Sequence, residues 1–324
     1  MGQFNSIHSL DQIKILSDPR RLAILRLLMD RPSSITRLAH AMGESPAWVK
    51  HHIKALLSTG LIELSYVQKT GRATEKFYRS QADAFLLQQI LTPKSKKPVL
   101  IFSGSHDLAL EALAESLAGK VRLISLNVGS LNGLVNLRQG ICQFSGAHLL
   151  DENGEYNLAY VRMIFPDIPM EVFTLAHRTQ GWMLLHGNKT RLRRVTDLVN
   201  SRLRFVNRNP GSATRLWLDT EIKKAGVAPE AIQGYDRIAM THSEAAALIR
   251  TGKADAALGL QAAAQQNGLD FIPLFEERYD VILPREQEPS VSPLLDYLQT
   301  IKFRRETDSL GGYSTTHSGE QILI

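Results

Sequence analysis

The 324-residue chain is 44% hydrophobic, enough for two domains; it has no apolar run of transmembrane length and no secretory signal pattern at Met1–Asn5, so a cytoplasmic location is expected. Its one cysteine, Cys142, excludes an intrachain disulfide and any multi-cysteine zinc or thiolate site. The formal net charge of +6 is uneven: residues 1–97 hold 15 Lys+Arg against 7 Asp+Glu, whereas residues 98–324 hold 23 against 25, a split that suits phosphate-backbone binding by the first part.

In chain order, apolar residues recur at helical spacing from Ser9 to Leu16 and again from Arg20 to Met29, with Asp18-Pro19 as cap and helix start. Ser34 can cap a third helix through Ile35, Leu38, Ala39 and Met42, which Gly43 ends. Ser45-Pro46 opens a fourth, with serine at N-cap and proline at the first helical position. Its apolar face is Val49, Ile53, Leu56 and Leu57, and Gly60 terminates it. Two helices across so short a break form a helix-turn-helix. A strand at 61–67, a turn at 69–72 and a returning strand at 76–79 make the wing.

The run from Ile35 to Leu56, with Asp18-Pro19-Arg20-Arg21-Leu22 before it, resembles the ArsR-type winged-helix repressors. The resemblance implies that the fourth helix enters the major groove of double-stranded DNA, and that the protein works as a homodimer on a two-fold site. On that model Ser45, Ala47, Trp48, Lys50, His51, His52 and Lys54 face DNA, while Lys69 and Arg72 at the wing tip meet phosphate or the minor groove. The alternatives are a solvated face for His51-His52 and packing against the wing for Trp48. The cysteine pair that metal-sensing relatives use is absent, so no metal site is expected.

Residues 93–98 form a polar, basic, proline-flanked linker between a domain at 1–92 and one at 99–324. Beyond it strands and helices alternate: a strand at 99–102, a helix at 108–117, a strand at 121–126, and a helix opened by Gly129-Ser130. This is an α/β pattern with parallel strands. Cys142 reads as the start of a buried strand rather than a nucleophile. Small Ser/Gly turns recur ahead of helices at Ser103-Gly104-Ser105, Gly129-Ser130, Pro210 to Arg215 and Thr241-His242-Ser243. Free N–H groups and the helix dipole make such turns anion sites. None matches a P-loop, a dinucleotide fingerprint or a hydrolase elbow, so no enzyme and no cofactor is expected.

Ser103 to Asp107, Gly129 to Leu134, Gly146 to Asp151, Glu155 to Leu158, Asn207 to Arg215, Gly252 to Gly259 and Glu277 to Asp280 together resemble the periplasmic-binding-protein-like domain of molybdate-type regulators. The resemblance implies a two-lobed type II binding-protein fold, making the chain an α/β multidomain protein with an N-terminal winged helix-turn-helix. Lobe one would hold about 99–185 and 275–324, lobe two about 190–272. The implied effector is a small oxyanion, molybdate or tungstate, held by Ser103, Ser105 and Ser130 from lobe one and Ser212, Thr214 and Thr241 from lobe two. Arg208 and Arg215 either add charge there or serve as structural ion-pair partners. Tyr235, Tyr279 and His148 read as core or rim residues, and His106-Asp107 as a helix cap. Two other readings stay open: a regulator sensing a small organic ligand, and an accessory factor in molybdenum-cofactor assembly.

Overall fold

The computed structural model describes residues 4–7, 9–70, 73–87, 90–187, 192–200 and 203–324. The chain divides into two compact units, residues 1–92 and 93–324.

In the first unit the order is β1 (Phe4–Ile7), α1 (Leu10–Leu16), α2 (Pro19–Asp30), β2 (Ser33–Ser34), α3 (Ile35–Met42), α4 (Pro46–Ser58), β3 (Ile62–Thr70), β4 (Ala73–Ser80) and β5 (Ala84–Leu87). Local chemistry sets the helix ends. Asp18 caps α2 by accepting from the Arg20 N–H, Ser34 caps α3 at Arg37, and Ser45 caps α4 at Trp48. Gly43 stops α3 in the left-handed conformation (φ 68°), which costs glycine nothing. Ile24, Leu25, Leu28, Leu38, Val49, Ile53 and Leu56 close a core over which the β3–β4 hairpin folds. A parallel pairing of β1 with β5 was not expected.

The second unit runs β6 (Val99–Gly104), α5 (Leu108–Leu117), β7 (Arg122–Asn127), α6 (Ser130–Arg138), β8 (Phe144–Ala147), α7 (Leu158–Ile164), β9 (Met170–Leu184), α8 (Asp197–Asn200), β10 (Phe205–Arg208), α9 (Ala213–Lys224), β11 (Ile238–Ala239), α10 (His242–Arg250), β12 (Ala256–Leu260), α11 (Gln261–Gln266), β13 (Asp270–Pro284), α12 (Glu288–Leu298), α13 (Ile301–Asp308), β14 (Tyr313–Ser314) and β15 (Gln321–Ile322). Its strands join in the order β11-β10-β12-β9-β13-β8-β6-β7, with β14 and β15 also on β9. The sheet is mixed: β6 with β7 and β8, and β10 with β11 and β12, pair parallel, whereas β9 and β13 run antiparallel to their neighbours, and the inner strands β6, β8, β10 and β12 are buried on both faces.

The long strands β9 and β13 pair antiparallel from end to end and are shared by both halves. Residues Gln180–Leu184 of β9 already pair with β12 of the second half. The passage between halves therefore lies within the strand, ahead of Gln180, and not after 184. Two packed layers support the first half. Leu100, Phe102, Leu113 and Phe303 lie on one side of the sheet; Ile101, Leu134, Cys142 and Phe165 lie on the other. Burial pushes the Cys142 thiol up to about 12. Helix α6 sits tightly on β6 because Gly133 has no side chain: a Cβ there would come within 2.6 Å of the Gly104 Cα.

Candidate functional sites in the two units

Helix α4 presents Ser45, Ala47, Lys50, His51 and Lys54 to solvent, and Lys69 is exposed on β3 near the hairpin tip. Arg72, expected at the same tip, lies outside the described residues. The structure corrects His52, which is only 4% exposed and beside the Trp48 ring, 4.2 Å between centroids. At 100° per residue His52 falls next to Leu56 on the apolar stripe, so the helix carries it inward. Burial lowers its imidazole below the ordinary value and favours the neutral form. Trp48 is half-buried against the same core.

In the second unit, Arg178 and Gln180 share one face of β9, two residues apart, with Glu277 of β13 directly opposite Arg178. The Arg178 guanidinium donates through Nε to Glu277 Oε1 and through Nη1 to Asp107 Oδ2, both at 2.7 Å. Glu277 Oε2 lies 2.7 Å from His148 Nδ1, and His148 Nε2 lies 3.0 Å from Ser105 Oγ. Gln180 Nε2 donates to Glu277 Oε1 at 2.7 Å and to Thr214 Oγ1 at 3.0 Å. The Tyr279 ring lies beneath Arg178, 4.3 Å from ring centroid to guanidinium, and its hydroxyl donates to the Ser105 carbonyl. Burial alone would raise the Glu277 carboxyl, but His148 and Arg178 outweigh it and hold it at about 2. Burial likewise works against the Arg178 charge, while Glu277 and Asp107 raise its pKa above the ordinary arginine value. His148 is lowered by burial despite Glu277 beside it.

Arg208, at the end of β10, differs. It is 1% exposed, and it donates to two carbonyl oxygens, those of Ala239 (3.3 Å) and Met240 (3.0 Å). Among the described residues it forms no ion pair, and its Nη1 has no partner. Burial, followed by repulsion from Arg178, lowers its pKa to about 9. Other buried polar atoms without partners among the described residues include Arg178 Nη2, Gln180 Oε1, Asn209 Oδ1 and both ring nitrogens of His242. His242 is held well below the ordinary imidazole value by burial and then by Arg208 and Arg178.

The two halves touch around this cluster. The Leu131 N–H donates to the Gly211 carbonyl at 3.2 Å, and Asn209 Nδ2 donates to the Val128 carbonyl at 3.0 Å. Gly129 (φ 92°) abuts Gly211-Ser212 so closely that a Cβ would lie 2.7 Å from the Ser212 nitrogen. The two halves are therefore in direct contact beside the cluster.

The serines and threonines named from sequence lie around the cluster, but their hydroxyls have local partners. Ser105 and Ser130 engage His148, Ser212 caps α9, Thr214 accepts from Gln180, and Thr241 caps α10. Two assignments need correction. Ser103 Oγ accepts from Asn136 of α6, because β6 directs that residue under the helix and not toward the strand end. Arg215 pairs with Asp219 at 2.8 Å, one helical turn on, and lies over the Tyr235 ring; it is structural. The Thr241 oxygen accepts the Glu244 N–H at 2.9 Å, a bond that does not use its own O–H. The residues missed from sequence are Arg178, Gln180, Glu277 and His242. Glu277 and His242 lay in segments the sequence singled out without a role of their own, and nothing local marks Arg178 and Gln180 inside the long strand β9.

Comparison with known proteins agrees with both units. Residues 18–63 match the model of the bacterial regulatory proteins of the arsR family, and residues 111–299 match the PBP superfamily domain. The uncharacterised protein YvgK of Bacillus subtilis is 32% identical over 230 residues, covering 70% of this chain and 74% of that one. An uncharacterised protein from the 5′ region of the Clostridium pasteurianum 2Fe-2S ferredoxin gene is 34% identical over 108 residues, 32% of this chain and 96% of that one. Among solved structures, a tungstate ABC transporter protein from Geobacter sulfurreducens aligns with a TM-score of 0.46 at 14% identity, covering 65% of this chain and 98% of that one. An ABC-type phosphate transport receptor from Vibrio cholerae aligns with a TM-score of 0.44 at 14% identity, covering 66% and 99%. The chain belongs to the PBP superfamily, whose domain it carries behind an ArsR-family DNA-binding domain.

Proposed function

We propose that this chain is a one-component transcriptional regulator in which a small anion, held between the halves of the second unit, alters DNA binding by the first. Arg208 carries the reading. A fully buried guanidinium with two carbonyl acceptors and, among the described residues, no carboxylate bonded to it is costly to fold, and an anion at its Nη1 offsets that cost. The exposed basic face of α4, with Lys50 and Lys54, supplies phosphate-backbone contacts. Paired DNA-binding heads in a homodimer would give the anion a spacing to change. Molybdate and tungstate enter as candidates through the family resemblance; Arg208 supports an anion without choosing among them.

The test is isothermal titration of the full chain with phosphate, arsenate, sulfate, molybdate, tungstate, glycolate and acetate, joined to gel shifts on the DNA upstream of its own gene. At least one anion should bind the wild type, bind R208M at least tenfold more weakly, and change the gel shift. Binding of none, or equal binding by R208M, would sink the reading.

A further inference from the structure

The atoms without partners around the cleft are of two kinds. Arg178 Nη2 and Arg208 Nη1 are donors on charged groups, for which an anionic oxygen is the strongest acceptor. Gln180 Oε1 and Asn209 Oδ1 are acceptors. Their orientation follows from their neighbours. Gln180 must point its nitrogen at the Glu277 carboxylate and the Thr214 hydroxyl, and Asn209 must point its nitrogen at the Val128 and Pro210 carbonyls. His242 adds one of each, because a neutral imidazole has one N–H and one lone pair and neither ring nitrogen has a partner.

These side chains form one neighbourhood. Gln180 follows Arg178 on the same face of β9 and shares the Glu277 carboxylate with it, Arg178 repels the Arg208 charge, both arginines act on His242, and Asn209 spans the halves through its bond to the Val128 carbonyl. Gln180 is 0% exposed, Arg178 1%, Arg208 1%, Asn209 4% and His242 0%. A fully deprotonated tetrahedral oxyanion has only acceptors. It would satisfy the two arginines and leave the oxygens of Gln180 and Asn209 buried against its own negative oxygens, an arrangement that buried polar groups avoid.

We infer that the cleft selects an anion bearing its own O–H donor, whose charged oxygens meet Arg178 and Arg208 and whose hydroxyl proton is accepted by Gln180, Asn209 or His242. This rests on the reading of the cleft as an anion site and narrows its ligand class. Two sources share the chemistry: a protonated inorganic oxyanion and a hydroxylated carboxylate.

The experiment is a set of matched titrations of the full chain at neutral pH. Phosphate and arsenate, which carry a proton, are compared with sulfate, molybdate and tungstate, which carry none, and glycolate is compared with acetate. The donor-bearing member should bind about tenfold or more tightly in at least one matched set, and the set in which this appears identifies the source. The variant Q180M should narrow that ratio by at least half while affinity for the proton-free partner changes less. N209L, measured in parallel, serves if Q180M fails to fold. Molybdate, tungstate or sulfate binding as well as phosphate or better, with glycolate no better than acetate, overturns this inference and leaves the anion site standing. Binding of no member of the panel removes the anion site itself and this inference with it.

Discussion

Replacing Arg208 with methionine should strengthen the unliganded protein and abolish its response to anion. Lowering the pKa from 12.5 to about 9 corresponds to about 5 kcal/mol against the charged form, at about 1.4 kcal/mol for each tenfold change. The sign is consistent: at neutral pH the group is charged in both states, so the whole penalty falls on the folded one. Methionine removes that penalty and strands the carbonyls of Ala239 and Met240, which lose their donors at about 1–3 kcal/mol each. At the middle of that range the net gain is about 1 kcal/mol. For a unit of this size each kcal/mol moves the melting temperature by roughly 2–4 °C. Calorimetry on the intact chain, with and without the tightest-binding anion, reads both effects. The wild type's second-unit transition should rise with anion, and that of R208M should start higher and stay fixed. A variant that melts lower without anion, yet still shifts upward with it, refutes the account of Arg208 as an uncompensated charge.

Acid should weaken the second unit. His148 and His242 are held below the unfolded value of 6.5, so the stability tied to their neutral forms is present above that pH and lost as pH falls toward their folded values. Unfolding free energies from urea titrations should fall between pH 7 and 5 by up to about 1.4 kcal/mol per pH unit for each imidazole, and a flat profile would contradict their burial as neutral groups. In the first unit, K50A and K54A should each weaken DNA binding across sequences and reduce the salt slope by about 1 in a fluorescence-anisotropy series; an unchanged slope removes that lysine from the phosphate contacts. H52A should destabilise the same unit by about 1–3 kcal/mol in thermal melts, whereas H51A should leave it within about 0.5 kcal/mol. G129A should fold but bind the anion at least tenfold more weakly by titration, because its methyl meets the Ser212 backbone on closure; wild-type affinity would show that the closed contact has no part in binding.

What could be read from sequence was what neighbours along the chain decide. Ser34, Ser45-Pro46 and Gly43 set helix limits through contacts a few residues away, and the turns at 103–105, 129–130 and 210–215 lie where the halves meet. His52 was misassigned because polarity was given more weight than its angle on α4. The charged network was invisible for another reason: Arg178 and Glu277 are 99 residues apart, and only the register of β9 against β13 makes them partners. The same long-range register hid the pairing of β1 with β5, whose Phe4 and Ala84 stand opposite each other. The serine hydroxyls, conspicuous in the sequence, are occupied by local caps and histidine contacts. Of the atoms left over, those of Arg208, Asn209 and His242 lie in segments the sequence marked, whereas Arg178 and Gln180 sit inside β9, where no motif marks them.

Cys142 gives the molecule a built-in reporter. Its thiol sits beneath α6 and α7 among Leu134, Leu137, Val161 and Phe165, and with its pKa at about 12 it holds almost no thiolate at neutral pH. Alkylating reagents can therefore react with it only while those helices lift from the sheet. The N-terminal turn of α6 is also the segment that meets Gly211 and Ser212 across the cleft. The labelling rate of this one sulfur thus times the opening of the first half, and an anion that clamps the cleft should slow the clock without touching the sulfur.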